Sequence, residues 1–285
     1  MKKILTMMAV AAIVAGCAKE VNENELYDVK DGKRVAFLLG GDFKKPSFTR
    51  SLTADGQEMT DVWVFDFVDD VCEQFVHKVQ GDADFDTPSL TLSNGDHRLC
   101  FVVSRGDTPV LDEQHTTITW SRPSDTFWAE YEMAVGSETP STVSVTLDRV
   151  ATKLKLLITD EVPSNLSKLT VTPAIWYYGL DYCYGTPTTA KENQERSVSV
   201  PSSYIGTEGQ LTFSIFGISG IDEWTTNLLL TATDGDDSEI GRATITAAPF
   251  ISDRQTVYSG RLFSQEGGFT LTLNDTWIAD YTGEW

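Results

Sequence analysis

Side chains able to do covalent or acid-base chemistry are sparse in this chain of 285 residues, which holds only three histidines and four cysteines. His77, His97 and His115 form neither a His-x-His nor a His-Glu-x-x-His arrangement, the spacings that would turn two rings toward one metal ion. His77 sits among Val76 and Val79 in a strand-like run and His97 flanks Asn94-Gly95, so both read as strand or loop histidines rather than ligands. Asp234-Gly235-Asp236-Asp237 puts carboxylates on a tight loop of the kind that suits calcium. It lacks the later bidentate glutamate of an EF-hand loop, and the reading preferred here is an acidic turn. The 42 acidic residues also leave room for a carboxylate pair of the glycoside-hydrolase kind, because the fold alone sets the separation of such a pair. No Gly-x-Ser-x-Gly elbow, phosphate-cradling glycine loop or Cys-x-x-Cys pair is present. The expectation is a protein that is not an enzyme and uses no metal or cofactor.

Cys17 is the exception. Lys2 and Lys3 form a positive n-region, residues 4–14 an apolar h-region, and small residues follow, the pattern of an export signal spanning residues 1–16. The apolar run is too short to span a bilayer. Val14-Ala15-Gly16-Cys17 resembles the lipobox of bacterial lipoproteins, in which diacylglycerol is attached to the cysteine thiol and the freed amine is acylated. Each buried methylene contributes about 0.8 kcal/mol, so several acyl chains hold a protein on a membrane for practical purposes permanently. Cys72, Cys100 and Cys183 remain, an odd number at irregular spacing, and imply no disulfide framework. A bridge between Cys72 and Cys100 stays open at this level.

Loss of the signal removes Lys2 and Lys3 and no acid, leaving 20 basic residues against 42 acidic ones and a formal charge of −22. Such a surface repels nucleic acid and anionic membrane faces, so neither is an expected partner through charge.

The elements that must position these groups are strands. After a polar stretch, residues 17–31, that reads as a lipidated tether, short β-rich runs alternate with turn residues. They cover residues 34–39, 61–68, 72–79, 89–92, 98–104, 142–147, 153–159 and 168–172. The second half adds 176–178, 210–216, 227–233, 239–246, 255–262 and 268–273. Asn94-Gly95 predicts a type I′ hairpin, Asp234-Gly235 another turn, and Asp69-Asp70 a third. Antiparallel neighbours joined in this way build sandwiches. The one helical candidate is Asp125 to Tyr131, capped by Ser124 or Asp125. A brief polar interval at residues 148–152 predicts one β-sandwich over 32–150 and a second over 151–285. Trp176-Tyr177-Tyr178, with Tyr182 and Tyr184 beyond, is dense enough in rings to stack on a glycan or a partner if exposed; alternate burial in a sandwich is the competing reading.

Four stretches resemble one family: Met59-Thr60-Asp61-Val62-Trp63-Val64-Phe65-Asp66-Phe67; Leu99-Cys100-Phe101-Val102-Val103-Ser104-Arg105-Gly106; Thr126-Phe127-Trp128; and Leu147-Asp148-Arg149-Val150-Ala151-Thr152-Lys153-Leu154. They are similar to the FimB/Mfa2 group of Bacteroidales fimbrillin-like lipoproteins, from the lipobox through residue 160 and more weakly to the end. The resemblance implies two transthyretin-like β-sandwich domains in tandem and a role as anchor or accessory subunit of a surface fimbrium. Its partners would be fimbrial subunits, engaged through β-strand contacts of the strand-donation type. An anchor should keep its own first strand, here residues 34–39, and Arg50 marks the loop where a trypsin-like protease would cut a stalk subunit. Arg50 is expected to stay uncut, since cleavage would free the lipid from the fold. The acids after Cys17 resemble signals that send lipoproteins to the outer face of the outer membrane, although Lys19 interrupts them. The alternative function is a glycan-binding surface lipoprotein using Trp176, Tyr177 and Tyr178.

Overall fold

The computed structural model describes residues 19–20, 32–41, 59–264 and 268–274. In chain order its strands are β1 (Lys19–Glu20), β2 (Lys33–Gly41), β3 (Asp61–Val68), β4 (Val71–Val79), β5 (Ser89–Leu92), β6 (Gly95–Ser104), β7 (Val110–Leu111), β8 (Thr117–Thr119), β9 (Thr126–Val135) and β10 (Thr142–Arg149). There follow β11 (Ala151–Ile158), β12 (Lys168–Pro173), β13 (Ile175–Asp181), β14 (Thr186–Glu192), β15 (Arg196–Ser199), β16 (Thr212–Ile218), β17 (Glu223–Thr233), β18 (Glu239–Ile251), β19 (Gln255–Gly260) and β20 (Phe269–Asn274). Among the described residues there is no α-helix, only a 3-10 turn at Ser202–Tyr204. The chain is all-β.

Side-chain alternation explains the layers. On β10, Val143, Val145 and Leu147 are buried while Thr142, Ser144, Thr146 and Asp148 are exposed, the period-two pattern of a strand with one wet face. Its residues 142–147 pair with β2, and Asp148 and Arg149 then pair with β9, so β10 ties the group β10-β2-β5 to the group β1-β4-β3-β6-β9. Between the two groups Val35, Phe37 and Leu39 meet Val64, Leu99 and Phe101 in a first core. The second core lies between β16-β11-β19-β20 and β15-β12-β17-β18, where Leu154 and Leu156 meet Leu169, Leu228 and Leu230.

β3 is buried on both faces; all its residues but Asp61 and Asp66 are apolar or aromatic, and those two carboxylates are buried with them. Val62 and Val64 belong to the first core, while Trp63, Phe65 and Phe67 enter a third. That third core is covered by residues of the sheet β14-β13-β8-β7 and its flanking turns: Ile118, Trp120, Leu180 and Tyr182. It draws on residues from both sides of residue 150.

Four sequence expectations need correction or refinement. The segment from Asp125 to Tyr131 is no helix but the entry to β9, where Phe127, Ala129 and Tyr131 meet the first core and Trp128 the third. Neighbours are not all antiparallel, since β1 runs parallel to β4, β2 to β10 and β11 to β19. The last two pairings are alike: β2 and β11 each lie parallel beside a later strand, across the intervening elements. At Asn94-Gly95 only the glycine has positive φ, 136°, so that turn is not type I′. The two consecutive left-handed residues that type I′ demands are Asp69 and Asp70, at φ 49° and 62°. Lastly, Lys19–Glu20, within the expected tether, forms a short strand against Gln74 and Phe75 of β4.

On β18 the ladder with β17 slips between Thr226 and Leu228, leaving Ala247 at φ 50° with its N–H donating to Asn227 Oδ1 at 2.9 Å. A Cβ in this conformation costs about 1–2 kcal/mol, and Ala247 is exposed. Ala247→Gly is therefore expected to raise stability by about 1 kcal/mol, read as a higher midpoint in urea. A lower midpoint would show that the bulge is not strained.

Candidate functional site

The histidines serve the sheets. His97 Nδ1 lies 2.6 Å from Asp66 Oδ1 and its Nε2 donates to the Ser93 carbonyl at 3.0 Å, with both ring and carboxylate almost wholly buried. Gln74 Nε2 donates to the other Asp66 carboxylate oxygen at 2.9 Å. His77 Nε2 meets Asp61 Oδ1 at 2.8 Å and the ring stacks on Trp63 at 3.7 Å. Thr60 Oγ1 donates to Asp61 Oδ2 at 2.7 Å. Both pairs pin β3 to its neighbours, and the Ser93 hydroxyl stands 3.4 Å from His97 Nε2 on the side of the ring away from Asp66.

Cys72, Cys100 and Cys183 are free and buried. Cys72 is paired with Phe67 and Cys100 with Phe65, on strands that flank β3 from opposite sides. Two strand spacings, about 9–10 Å, separate them, beyond the roughly 7 Å that a disulfide can bridge. The Cys72 to Cys100 bridge is therefore excluded. Burial pushes the Cys72 thiol up to about 12 and that of Cys183 up to about 11, and Cys100 rises further for the same reason. An unfolded chain releases these protons at lower pH than the folded one, so stability should fall as pH rises from 9 toward 12. At about pH 10.5, Cys72 alone is worth on the order of 2 kcal/mol. Urea midpoints at neutral and alkaline pH check this, and equal midpoints would contradict it.

The rings form no open platform. Trp176 and Tyr178 are each 1% exposed, and Tyr177 is half-buried. Trp176 meets Trp224 and Phe250 edge to face at 5.2 and 4.9 Å, and its Nε1 donates to the Phe216 carbonyl at 2.9 Å. Tyr182 stacks on Phe65 at 3.9 Å in the third core. Of the five rings only Tyr184, at 67%, lies open. The platform expected of Trp176, Tyr177 and Tyr178 is thus corrected: one face of β13 packs into the cores, so alternation hides every second ring. Asp234 Oδ1 is engaged by the N–H groups of Asp236 and Ser238, and Asp237 pairs with Lys168 at 2.7 Å, as in an acidic turn. Cys17 and Arg50 lie outside the described residues.

What the described residues leave open are strand edges. β15 and β16 each have a neighbour on one side only, β12 and β11 respectively, and they border the same groove of about 710 Å³. Val198, Phe213 and Ile215 give it an apolar wall, Arg196 and Arg122 a basic rim, and Glu195 its one acid. The Ser214 hydroxyl in its wall is buried without a hydrogen-bond partner. Sequence reading missed β14 and β15, because their residues are mostly polar and their burial pattern lacks the apolar alternation of a core strand.

No protein-family model matches this sequence, and no curated protein is detectably similar to it. Solved structures do match. A candidate adhesin from Bacteroides ovatus superposes with a TM-score of 0.54 at 11% identity, covering 86% of this chain and 88% of its own. The fold is that of Bacteroides candidate adhesins. A second, from Bacteroides thetaiotaomicron, gives 0.51 at 8% identity over 87% of this chain and 98% of its own. A third, again from Bacteroides ovatus, gives 0.51 at 13% over 87% and 95%. At such identities the likeness is one of fold, and it runs across nearly the whole described chain.

Proposed function

We propose that this chain is a fimbria-associated surface lipoprotein, an anchor or accessory subunit that is tethered through Cys17 and engages fimbrial subunits by strand contacts. The observation that carries the reading is the combination of an all-β architecture shared with candidate adhesins and sheets whose edge strands are unpaired among the described residues. An unpaired edge presents a row of unmet N–H and C=O groups, and an incoming strand gains affinity from main-chain bonds and selectivity from side-chain pockets. Burial of His97 and of the three described thiols agrees with a protein whose work is done by backbone rims. The glycan-platform alternative loses its support with the burial of Trp176 and Tyr178.

Division into residues 32–150 and 151–285 and membership of the FimB/Mfa2 group belong to the same proposal, as does display on the outer face of the outer membrane. Growth with an alkyne fatty acid should label the wild-type protein and leave Cys17→Ser unlabelled and released from membranes. Equal labelling of the two would remove the anchor. Mature protein beginning at Ser51 would show that the loop at Arg50 is cut and that the protein behaves as a stalk subunit instead.

A further inference from the structure

We propose that the groove between β15 and β16 is a docking site for an acidic, extended peptide segment of a partner protein, held by main-chain pairing along an open edge and by Arg122 and Arg196. The inference deepens the strand-contact part of the functional reading and rests on it.

Charge points to the occupant. The chain carries a formal charge of −20, yet this groove is lined by two guanidinium groups and one carboxylate. Neither Arg122 nor Arg196 has a salt-bridge partner among the described residues, whereas Arg98, Arg149 and Arg242 all do. More cations stand close by. Arg105 and Lys153 lie over the Phe216 ring at 5.4 and 5.1 Å, and Lys191 lies over Tyr178 at 4.2 Å beside Arg196 at 4.7 Å. A basic groove on an acidic protein attracts anionic segments.

Shape points to a peptide rather than a sugar. Phe213 is only 4% exposed and cations lie over Phe216, so the groove has little ring face on which a pyranose could stack. Edge backbone borders it on both sides instead. β15 runs four residues and β16 seven, which suits an extended segment of about 13–24 Å. All four residues of β15 line the groove, Arg196 and Val198 half-buried and Ser197 and Ser199 exposed, so an added strand would meet a basic and an apolar side chain two positions apart. The buried Ser214 hydroxyl supplies an unused polar group in the same wall.

The test uses the full mature chain and a fluorescent decapeptide of alternating valine and glutamate. Binding at low ionic strength is expected, weakening with salt, with amide exchange slowed in residues 196–199 or 212–218. Arg122→Glu with Arg196→Glu should weaken it by about tenfold or more while circular dichroism stays that of the wild type. The glutamine pair should fall between, and a valine-lysine decapeptide should not bind. Affinity indifferent to both charge reversals, protection confined to other strands, or binding of an oligouronate in place of the peptide would overturn the proposal. The broader reading fails separately. Loss of fimbrial partners with peptide binding intact would sink that reading alone, and partners retained by the double glutamate variant would sink only the groove.

Discussion

Arg149→Met is expected to destabilise the fold by about 3–5 kcal/mol, enough to remove much of the stability of an ordinary domain. Arg149 closes β10 just before β11 begins, and its side chain is inaccessible to solvent. Its Nε donates to Asp125 Oδ1 at 2.7 Å, and Nη1 reaches Asp253 in the turn before β19, while the guanidinium lies 4.7 Å from the Phe127 ring. Three chain segments, at residues 125, 149 and 253, are thereby fixed at one point. Methionine preserves much of the volume but leaves the Asp125 carboxylate, 0% exposed, without its cation. Stranding a buried charge costs more than the pair itself contributes. Arg149→Met combined with Asp125→Asn should therefore recover part of the loss. Urea unfolding of the single and double variants reads both effects, and a single variant within about 0.5 kcal/mol of wild type would show that the cluster is not the clamp described.

Trp176→Ala should cost about 3–5 kcal/mol, the range for deleting a large ring from a packed core. The indole fills the second core between Trp224 and Phe250, and its N–H satisfies the Phe216 carbonyl. Gly217 packs so tightly below it that a Cβ there would sit 2.9 Å from the ring. Tyr184→Ala, at a residue 67% exposed, should change stability by less than about 0.5 kcal/mol. The contrast matters for function as well. Any loss of binding in Trp176→Ala would come from unfolding, whereas a glycan platform would lose binding with its stability unchanged. Denaturant midpoints of the two variants separate these cases.

Strands with a buried stripe were legible, because Val143, Val145 and Leu147 on β10 or Leu228, Leu230 and Ala232 on β17 announce their faces by period two. The segment at Phe127 was not. Apolar residues on both faces of β9 at its start break simple alternation, and Phe127, Trp128 and Tyr131 also fit a helical stripe. Open edges escaped for the opposite reason: β14 and β15 bury few side chains, so little hydrophobic signal marks them. The candidate docking groove has the same origin. Arg122 lies in a loop and Arg196 on a polar edge, 74 positions apart in the sequence, and only folding makes them neighbours. The ring cluster at residues 176–178 was conspicuous in sequence, yet the density that suggested a platform reflects a strand passing between cores.

The proposed function, strand contact at a membrane, makes one demand above the others: a fimbrial partner should be bound to the protein in its own envelope. Affinity isolation of the tagged full-length chain from outer membranes, followed by identification of what comes with it, should yield fimbrial subunits in stoichiometric amounts. A lipidated protein recovered alone from cells that are making fimbriae would contradict the account.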